Sequence, residues 1–259
     1  MAKILITGPT SGIGRHVALQ LAESARLGEA RNERHEFYLV ARSTEGLQKI
    51  AGEMRDITKQ AAIHTFALDL SEKGAAEQIA KKIKDVDVLI LNAGVGLSGR
   101  FLDQPLEKIE KMWTLNCEST VELCWHFGRK MREAKSGKIV LVSSFAGFLP
   151  VPYLSVYSAS KAFVSALGEA LHEELREHGI DVTTVCPVGV KTQFHIKAGL
   201  SDGLVQKYDM TMSTPEAVAA AVVAATRNGG YVVIPGFSNR LFKKTMGLFP
   251  RRFLIGQIA

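Results

Sequence analysis

Residues 3–14 of the chain read Lys-Ile-Leu-Ile-Thr-Gly-Pro-Thr-Ser-Gly-Ile-Gly, a short apolar run followed at once by a glycine-rich turn. The run predicts a buried strand at Lys3–Thr7, because parallel strands covered on both faces are almost continuous in Val, Ile and Leu. The periodic segment Ile13–Ala25 that follows predicts a helix. Strand, tight turn and helix in this order begin a β-α-β unit, which favours an α/β fold.

The same alternation of short apolar runs and longer helical patterns continues along the chain. Strands are predicted at Lys3–Thr7, Phe37–Ala41, Ile63–Ala67, Val86–Leu91, Lys138–Ser143, Asp181–Cys186 and Tyr231–Ile234. Helices are predicted at Ile13–Ala25, Thr44–Thr58, Ala75–Lys84, Leu106–Lys135, Val156–His178 and Pro215–Arg227. Strict alternation predicts a single-domain, doubly wound parallel sheet of about seven strands with helices on both faces.

Two segments interrupt the alternation. The polar stretch Leu27–Glu36 is expected to be a solvated surface insertion between the first helix and the second strand. Gln193–Met212 shows no clear period, and loops of about twenty residues in a compact domain are usually functional lids or disordered segments. We therefore expect residues 193–212 to form a lid or substrate loop.

Composition excludes several classes of protein. The chain has 259 residues, 46% hydrophobic and 22% charged, so it can bury a core and is not intrinsically disordered. No apolar stretch approaches the roughly 18 to 20 residues of a membrane span, and the first residues resemble a strand rather than a secretion signal. Three Cys residues make no disulfide framework, which favours a reducing, cytoplasmic location. The His and Cys spacings predict no metal site.

The glycine-rich turn Thr7–Gly14 is suited to a dinucleotide. Glycines permit a tight turn and a close backbone approach to a pyrophosphate, and the helix N-terminus offers unpaired N–H groups and the positive end of its dipole. The turn is not a P-loop, because it has no Gly-Lys-Ser/Thr ending. It also lacks the G-x-G-x-x-G spacing that is common in dinucleotide-binding turns. A purely structural turn is the alternative interpretation.

The end of the second strand bears on the choice of cofactor. Folds that bind NAD place an acidic residue there for the ribose 2′-hydroxyl, whereas this chain has Ala41 followed by Arg42. A guanidinium pairs with a 2′-phosphate that a carboxylate would repel. The sequence therefore favours NADP, the alternative being that Arg42 is a solvated surface charge.

The pattern Tyr-Ser-Ala-Ser-Lys at residues 157–161 lies at the start of a long predicted helix. Tyr157 and Lys161 are four residues apart and share one helical face. A free phenol titrates near pH 10, and a neighbouring ammonium lowers that pKa toward the range of a general acid or base. Ser144 ends the fifth strand, at the sheet edge where doubly wound folds bind ligands. The three side chains are therefore candidates for one catalytic site.

In this order the motifs resemble those of the short-chain dehydrogenase/reductase family, over essentially the whole chain up to about Pro235. The catalytic tetrad that the resemblance implies is Asn116, Ser144, Tyr157 and Lys161. The implied cofactor-binding residues are Thr7, Gly8, Ser11, Gly12, Ile13, Gly14, Arg42, Asp69, Leu70, Asn92, Ala93, Gly94, Tyr157, Lys161, Pro187, Val190 and Thr192.

The resemblance also implies a Rossmann fold and hydride transfer between NADP(H) and a carbonyl or secondary alcohol. Tyr157 is expected to give or take the proton, while Ser144 hydrogen-bonds the same substrate oxygen. Lys161 is expected to bind the nicotinamide ribose and lower the pKa of Tyr157, and Asn116 to position a water in a proton relay.

The chain departs from the family's pattern at two points. Leu91 replaces the first Asn of the Asn-Asn-Ala-Gly signature, which removes one polar contact. Val188 replaces a Gly after the sixth strand, and because Val does not readily adopt a positive φ, we expect the turn to be rebuilt around Gly189. The second departure affects the expected contacts to the nicotinamide.

The substrate pocket is expected to be walled by Ser144, Phe145, Ala146, Tyr153 and Val188 together with residues 193–212. These side chains are largely apolar, and no Arg or Lys clamp adjoins the reacting centre. A lipophilic ketone, acyl or steroid-like substrate is therefore predicted. The alternative is that these residues simply belong to the core.

The sequence also bears on oligomerisation and on other classes of function. In the family, the helix that corresponds to Leu106–Lys135 often forms a homodimer interface, so a homo-oligomer (dimer or tetramer) is expected; core packing accounts equally well for its Trp113 and Trp125. A catalytically idle NADP-binding sensor of the same fold is the alternative function, but it need not retain the whole tetrad. Mixed charge over most of the chain argues against nucleic-acid binding.

The formal net charge of +6, with a pI near 9.2, is concentrated in a carboxyl-terminal tail, residues 236–259. Its basic residues are Arg240, Lys243, Lys244, Arg251 and Arg252, and it has no acidic residue. Its apolar residues include Phe237, Leu241, Phe242, Met246, Leu248, Phe249, Phe253, Leu254 and Ile255. This composition is typical of an interfacial membrane anchor, and packing on the protein's own domain or a partner subunit is the alternative.

Overall fold

The structure of the protein, a computed structural model, describes residues 2–29, 34–190, 194–200 and 213–258. Its centre is a wholly parallel seven-stranded sheet in the order β3-β2-β1-β4-β5-β6-β7. Strands β1 to β7 are Ala2–Thr7, His35–Ala41, Ala62–Ala67, Val88–Leu91, Gly137–Val142, Ile180–Val185 and Val232–Val233. All seven predicted strands are present, and the doubly wound α/β fold is confirmed.

Helices cover both faces of this sheet. Helices α1 to α10 of the described chain are Gly12–Glu29, Thr44–Ile57, Ala75–Lys82, Leu106–Trp113, Ser119–Ala134, Ser155–Arg176, Phe194–Lys197, Pro215–Asn228, Phe237–Met246 and Arg251–Ile258. One core lies under α1, α2 and α8, and a second lies under α3, α5 and α6. In β1, Ile4 and Ile6 enter the first core and Leu5 enters the second, because successive side chains of a strand point to opposite faces.

The helix predicted at Leu106–Lys135 is divided by a π-helical turn at Thr114–Glu118, which separates α4 from α5. Asn116, in the middle of this turn, bonds the backbone of Val95 twice. Single π turns inside α-helices frequently lie at functional sites. The turn carries one member of the predicted tetrad, so the irregularity bears on the site.

The interpretation of Leu27–Glu36 as a surface insertion is wrong at both of its ends. Helix α1 continues to Glu29, and β2 already begins at His35. Leu27 is exposed on the last turn of α1, so the polar stretch is partly the solvated end of a helix. Of the loop predicted at 193–212, only residues 194–200 are described, and α7 lies there.

Candidate active site

The carboxyl ends of the parallel strands lie at one edge of the sheet. There, the turn after β1 is hydrogen-bonded to the residues that follow β4. The Thr7 hydroxyl accepts hydrogen bonds from the backbone N–H groups of Asn92 and Ala93, both at 3.0 Å. The Asn92 amide donates to the carbonyl oxygens of Thr7 and Gly8, both at 3.1 Å. A Cβ at Gly14 would overlap the Gly8 carbonyl and the Asn92 amide. Asn92 therefore shapes the turn from the β4 side.

The remaining residues of the turn leave room for a pyrophosphate. Gly8 and Gly12 have positive φ angles of 68° and 52°, conformations that favour glycine. Ser11 is exposed, and Ile13 is half-buried in the first turn of α1. Backbone N–H groups at the start of a helix bind anions, so the residues present fit a dinucleotide.

Gly94, three residues after β4, lies close to two side chains of the predicted site. A Cβ there would be 3.2 Å from Asn116 Oδ1 and 3.3 Å from Lys161 Nζ. Only a residue without a side chain leaves these two polar groups so close to the backbone after β4. The structure therefore brings Gly94 together with two members of the predicted tetrad.

Arg42 follows the end of β2, where the sequence predicts contact with a 2′-phosphate. Its Nη1 lies 3.7 Å from Asp69 Oδ2, and its side chain is 67% exposed. Asp69 is itself fixed, because its Oδ1 accepts hydrogen bonds from the Ser71 N–H at 2.9 Å and hydroxyl at 2.7 Å. Leu70 is buried beside it. Arg42 is thus tethered at the sheet edge and still open to a ligand.

Tyr157 and Lys161 lie in the first two turns of α6 and are both buried. Burial raises the pKa of the Tyr157 phenol to about 12, and a hydrogen bond with the Ser144 hydroxyl opposes that shift. Burial also lowers the pKa of the Lys161 ammonium to about 8. Ser144, two residues after the end of β5, is held by a hydrogen bond that its Oγ accepts from the Ala146 N–H at 3.2 Å.

The expected effect of Lys161 on the pKa of Tyr157 is absent from this structure. Lys161 Nζ lies 6.0 Å from the centre of the Tyr157 ring and donates to the Val142 carbonyl at 3.0 Å. The phenol is desolvated, and among the described groups the Ser144 hydroxyl is the one that stabilises its ionised form. The pKa of Tyr157 is therefore raised, where the sequence predicted that it is lowered.

Asn116 is joined to the catalytic helix through a residue that sequence reasoning missed. Its Oδ1 accepts from the Val95 N–H at 3.0 Å, and its Nδ2 donates to the Val95 carbonyl at 3.0 Å and to Ser160 Oγ at 3.1 Å. The Ser160 hydroxyl in turn donates to the Tyr157 carbonyl at 2.7 Å. The signal available in the sequence was a serine directly preceding Lys161.

Ser143 is a second supporting residue that was missed. Its hydroxyl donates to the Lys161 carbonyl at 2.7 Å and shares a hydrogen bond of 2.8 Å with the Ser165 hydroxyl. The end of β5 is thereby fixed to α6 at the level of Lys161. Its signal was a serine directly preceding Ser144.

The predicted substrate wall is partly assembled. The rings of Phe145 and Phe148 meet edge to face at 5.4 Å, and the Phe145 N–H donates to the Pro187 carbonyl at 2.8 Å. Tyr153 has a left-handed backbone, with φ 63°, and its carbonyl accepts from the Gly99 N–H at 2.9 Å. Ala146 is half-buried in the turn after Ser144.

The segment after β6 differs from the expected turn. Neither Val188 nor Gly189 has a positive φ, so the turn is not rebuilt around a left-handed Gly189. Val188 is half-buried and Val190 is buried, with Val190 bridged to Ser213. Thr192, predicted to contact the nicotinamide, lies outside the described residues.

Three contacts of aromatic rings surround the entrance to the site near Tyr157, Phe145 and Phe148, which we call the mouth. None of the three was predicted from the sequence. The Phe194 ring of α7 lies 5.3 Å from the Tyr157 ring and packs so closely on Gly96 that a Cβ there would be 2.6 Å from Phe194 Cζ. From the tail, the Phe242 ring stacks on Phe145 at 5.6 Å, and Lys243 Nζ lies 4.4 Å from the centre of the Phe148 ring. Neither α7 nor the tail contains a recognisable motif. The only sequence feature that could have indicated these contacts was the presence of aromatic residues in segments with no assigned role.

Two open grooves, of about 340 and 470 Å³, lie beside this mouth. They share Gly99, Arg100 and Asp103; Ile196 lines the smaller groove, and Tyr153 lines the larger. Among the described lining residues there is no member of the tetrad. The physical reason is that Tyr157, 8% exposed, is covered by the Phe194 ring.

Comparison with known proteins agrees with this fold. Residues 2–201 match the family model described as short chain dehydrogenase. The chain is 29% identical over 249 residues to a very-long-chain 3-oxoacyl-CoA reductase of Ajellomyces capsulatus, covering 92% of this chain and 68% of that protein. It is 32% identical over 232 residues to the ketoacyl reductase HetN of Nostoc sp., covering 87% and 75%.

A solved short-chain dehydrogenase from Sphingobium yanoikuyae, in complex with NADPH, has a similar structure. The two chains superimpose with a TM-score of 0.83 and are 28% identical, covering 100% of this chain and 97% of the other. The protein therefore belongs to the short chain dehydrogenase family, whose members named above are oxidoreductases.

Proposed function

We propose that this protein is an NADPH-dependent reductase of a carbonyl group in a lipophilic substrate, with 3-oxoacyl thioesters as the first class to test. The observation that carries the proposal is the buried Tyr157 phenol, whose pKa responds to the Ser144 hydroxyl beside it, at the sheet edge that also holds the glycine-rich turn. An alcohol oxidation uses the same groups in reverse.

The protonation state of Tyr157 suits the proton-donating step of a reduction. A phenol whose pKa is raised to about 12 keeps its proton at neutral pH. Carbonyl reduction needs a proton donor at the oxygen that becomes the alcohol. Tyr157 is therefore in the protonation state of a general acid, and the Ser144 hydroxyl beside it can hydrogen-bond the same oxygen.

A bound NADPH would supply the hydride, and the chain supplies position and charge. The backbone of the glycine-rich turn would bind the pyrophosphate, and Arg42 the 2′-phosphate. Lys161, with a pKa lowered to about 8, can lose and regain a proton near neutral pH, which suits it to the water-mediated proton relay expected with Asn116. Asn116 fixes the helix that carries both residues.

The substrate class is inferred from the mouth of the site. Phe101, Leu102, Tyr153 and Ile196 are all exposed beside the two grooves, Leu102 to 90%. Exposed apolar patches often mark ligand-binding surfaces. Two curated relatives are named as 3-oxoacyl-CoA and ketoacyl reductases, which supports the acyl class.

The direct test follows NADPH oxidation with 3-oxoacyl thioesters, lipophilic ketones and steroid ketones, using a phosphorylated sugar ketone as the polar control. We expect turnover with at least one lipophilic class and none with the control. Silence across the panel, with NADPH binding shown by fluorescence, would favour the NADP-binding sensor instead.

Arg42 decides the choice of cofactor in this proposal. We predict that Arg42→Ala raises KM for NADPH by roughly 10- to 100-fold, because a charge-assisted hydrogen bond contributes about 1.5–3 kcal/mol, and leaves KM for NADH nearly unchanged. Lys49→Ala, an exposed cation on α2, is the control. Equal effects on both cofactors would remove Arg42 from phosphate recognition.

We also propose that residues 1–235 form the catalytic domain of a cytoplasmic homo-oligomer and residues 236–259 a separate tail. Trp113 and Trp125 are 39% and 56% exposed on α4 and α5, which disfavours the alternative of core packing and supports an interface there. Light scattering of wild type and Trp125→Lys tests it: a mass that does not fall in the variant contradicts this interface.

A further inference from the structure

The tail has an inner face that is attached to the mouth of the site. Along α9, Asn239, Phe242, Lys243 and Met246 recur at intervals of three and four residues and so share one face. Asn239 Nδ2 donates to the Pro235 carbonyl at 2.8 Å, and Met246 is buried. Phe242 is 49% exposed, but its ring stacks on Phe145, and Lys243 lies over Phe148; these contacts place α9 beside the substrate wall.

The outer face of the tail is exposed and has a different character. We define it as Phe237, Arg240, Leu241 and Lys244 of α9 with Leu248, Phe249, Arg251, Arg252 and Phe253 after it. All nine side chains are exposed, and Phe237 and Leu248 reach 75% and 78%. The Phe249 and Phe253 rings stack at 6.1 Å. The outer face therefore combines five apolar groups with four cations and no carboxylate.

This combination decides between possible partners. A second copy of the chain would bring the same cations against each other, which disfavours self-association through this face. An anionic bilayer accommodates both components, because apolar side chains enter the boundary of headgroups and acyl chains while Lys and Arg attract anionic lipids. None of the helices among the described residues is long and apolar enough to cross a membrane, so contact through this face would be peripheral.

We propose that the outer face of the tail docks on an anionic lipid bilayer and thereby places the mouth of the active site at the membrane surface. Phe242 and Lys243, on the opposite side of the same helix, contact the wall formed by Phe145 and Phe148. A lipophilic carbonyl compound dissolved in the bilayer then enters without crossing water. This second part rests on the proposed function, whereas docking does not.

Docking is tested by co-sedimentation of the full chain with vesicles of phosphatidylcholine, with and without about one-third phosphatidylserine. We expect binding to the anionic vesicles only, weakening as salt is added. In Lys244→Glu/Arg251→Glu/Arg252→Glu the partition coefficient should fall by at least about 100-fold, since each lost cation contributes several-fold and each new carboxylate is repelled by the anionic surface.

The matched control reverses three exposed lysines elsewhere, Lys49→Glu/Lys73→Glu/Lys84→Glu, with the same change in net charge. It should sediment like wild type. Wild type left in the supernatant, or equal losses in both triple variants, would overturn the docking surface. A third outcome would also overturn it: the protein does not bind vesicles, but it self-associates, and Phe249→Ser/Phe253→Ser abolishes that self-association. The partner of this face would then be a second copy of the chain.

Substrate entry is tested by assaying a water-soluble ketone and a vesicle-dissolved ketone side by side. The tail triple variant should keep its activity on the soluble ketone and lose about 10-fold or more on the vesicle-dissolved one. Equal activity of variant and wild type on the vesicle-dissolved ketone would overturn entry from the membrane. Vesicle binding without reduction of any ketone would reject the proposed function and leave the docking surface standing.

Discussion

The buried centre of the site and its exposed mouth differ in the interactions that their side chains make. In the centre, Asn116, Ser143 and Lys161 each hydrogen-bond the backbone of a neighbouring element, so their positions are fixed before any ligand arrives. At the mouth, Leu102, Ile196 and much of the tail expose apolar side chains to water. The centre is preorganised for chemistry, and the mouth is apolar surface that a ligand or a membrane can cover.

The sharpest test of the centre is Tyr157→Phe, which removes only the hydroxyl. We predict that kcat falls by about 10²–10⁴-fold, the usual contribution of a general acid, whereas NADPH binding stays close to wild type. Stopped-flow turnover and fluorescence titration of NADPH measure the two quantities. A variant with near-native turnover would remove Tyr157 from the acid–base role.

The glycine-rich turn gives the next largest effect. Gly14→Ala places a Cβ against the Gly8 carbonyl and the Asn92 amide, so the turn must open. We predict a loss of NADPH affinity of about 100-fold, equivalent to roughly 2.8 kcal/mol, measured by isothermal titration.

Gly52→Ala is the matched control for that change, because a Cβ at Gly52 in α2 meets nothing within 4 Å. It should leave NADPH affinity unchanged and raise the free energy of unfolding by up to about 1 kcal/mol, since Ala is the better helix former. If Gly14→Ala binds NADPH like the control, the turn does not hold the cofactor.

At the mouth, the contact between Phe194 and Tyr157 should affect recognition more than chemistry. Phe194→Ala removes an apolar wall, for which we predict about a 10-fold rise in KM for a lipophilic substrate. It also lets water reach the phenol, so the basic limb of the pH–rate profile should move toward pH 10. Ile196→Ala, two residues away and exposed, should leave the profile unmoved; identical profiles for both variants would contradict the role of Phe194.

The smallest effect is on stability. The pKa of Lys161 is about 8 in the folded protein and near 10.5 in an unfolded chain, so from pH 8 to 10 the unfolded state binds more protons. The free energy of unfolding therefore rises with pH from this group, by at most about 1.4 kcal/mol per pH unit, and changes little below about pH 7.

The comparison of wild type with Lys161→Met between pH 8 and pH 9 isolates this contribution. From about pH 8 upward the thiols of Cys117, Cys124 and Cys186 act in the opposite sense, because burial raises their pKa values to about 12, 12 and 11, but they act equally in both proteins. Urea unfolding of wild type and Lys161→Met at both pH values measures the slope. Equal slopes would mean that Lys161 does not titrate in this range.

The sequence was sufficient for the fold because the buried strands are almost purely aliphatic and alternate with periodic helices. It also indicated that the residues of the glycine-rich turn, and Tyr157 with Lys161, lie near each other, because those groups are close in sequence; their roles stay predictions. Ser160 and Phe194 were missed because their roles depend on contacts between separate elements. The raised pKa of Tyr157 follows from burial and from a Lys161 hydrogen bond to Val142, and neither is visible in a helical spacing.

At position 153, backbone stability and substrate recognition favour different residues. Its backbone lies in the left-handed region, with φ 63°, which costs a non-glycine residue on the order of 1 kcal/mol. Glycine at this position would relax the backbone and keep the carbonyl that accepts from Gly99, but it would delete the ring at the mouth of the proposed pocket. Directed evolution for heat resistance alone would therefore drift toward glycine at position 153 and erode substrate recognition, so selection at this site must reward turnover as well.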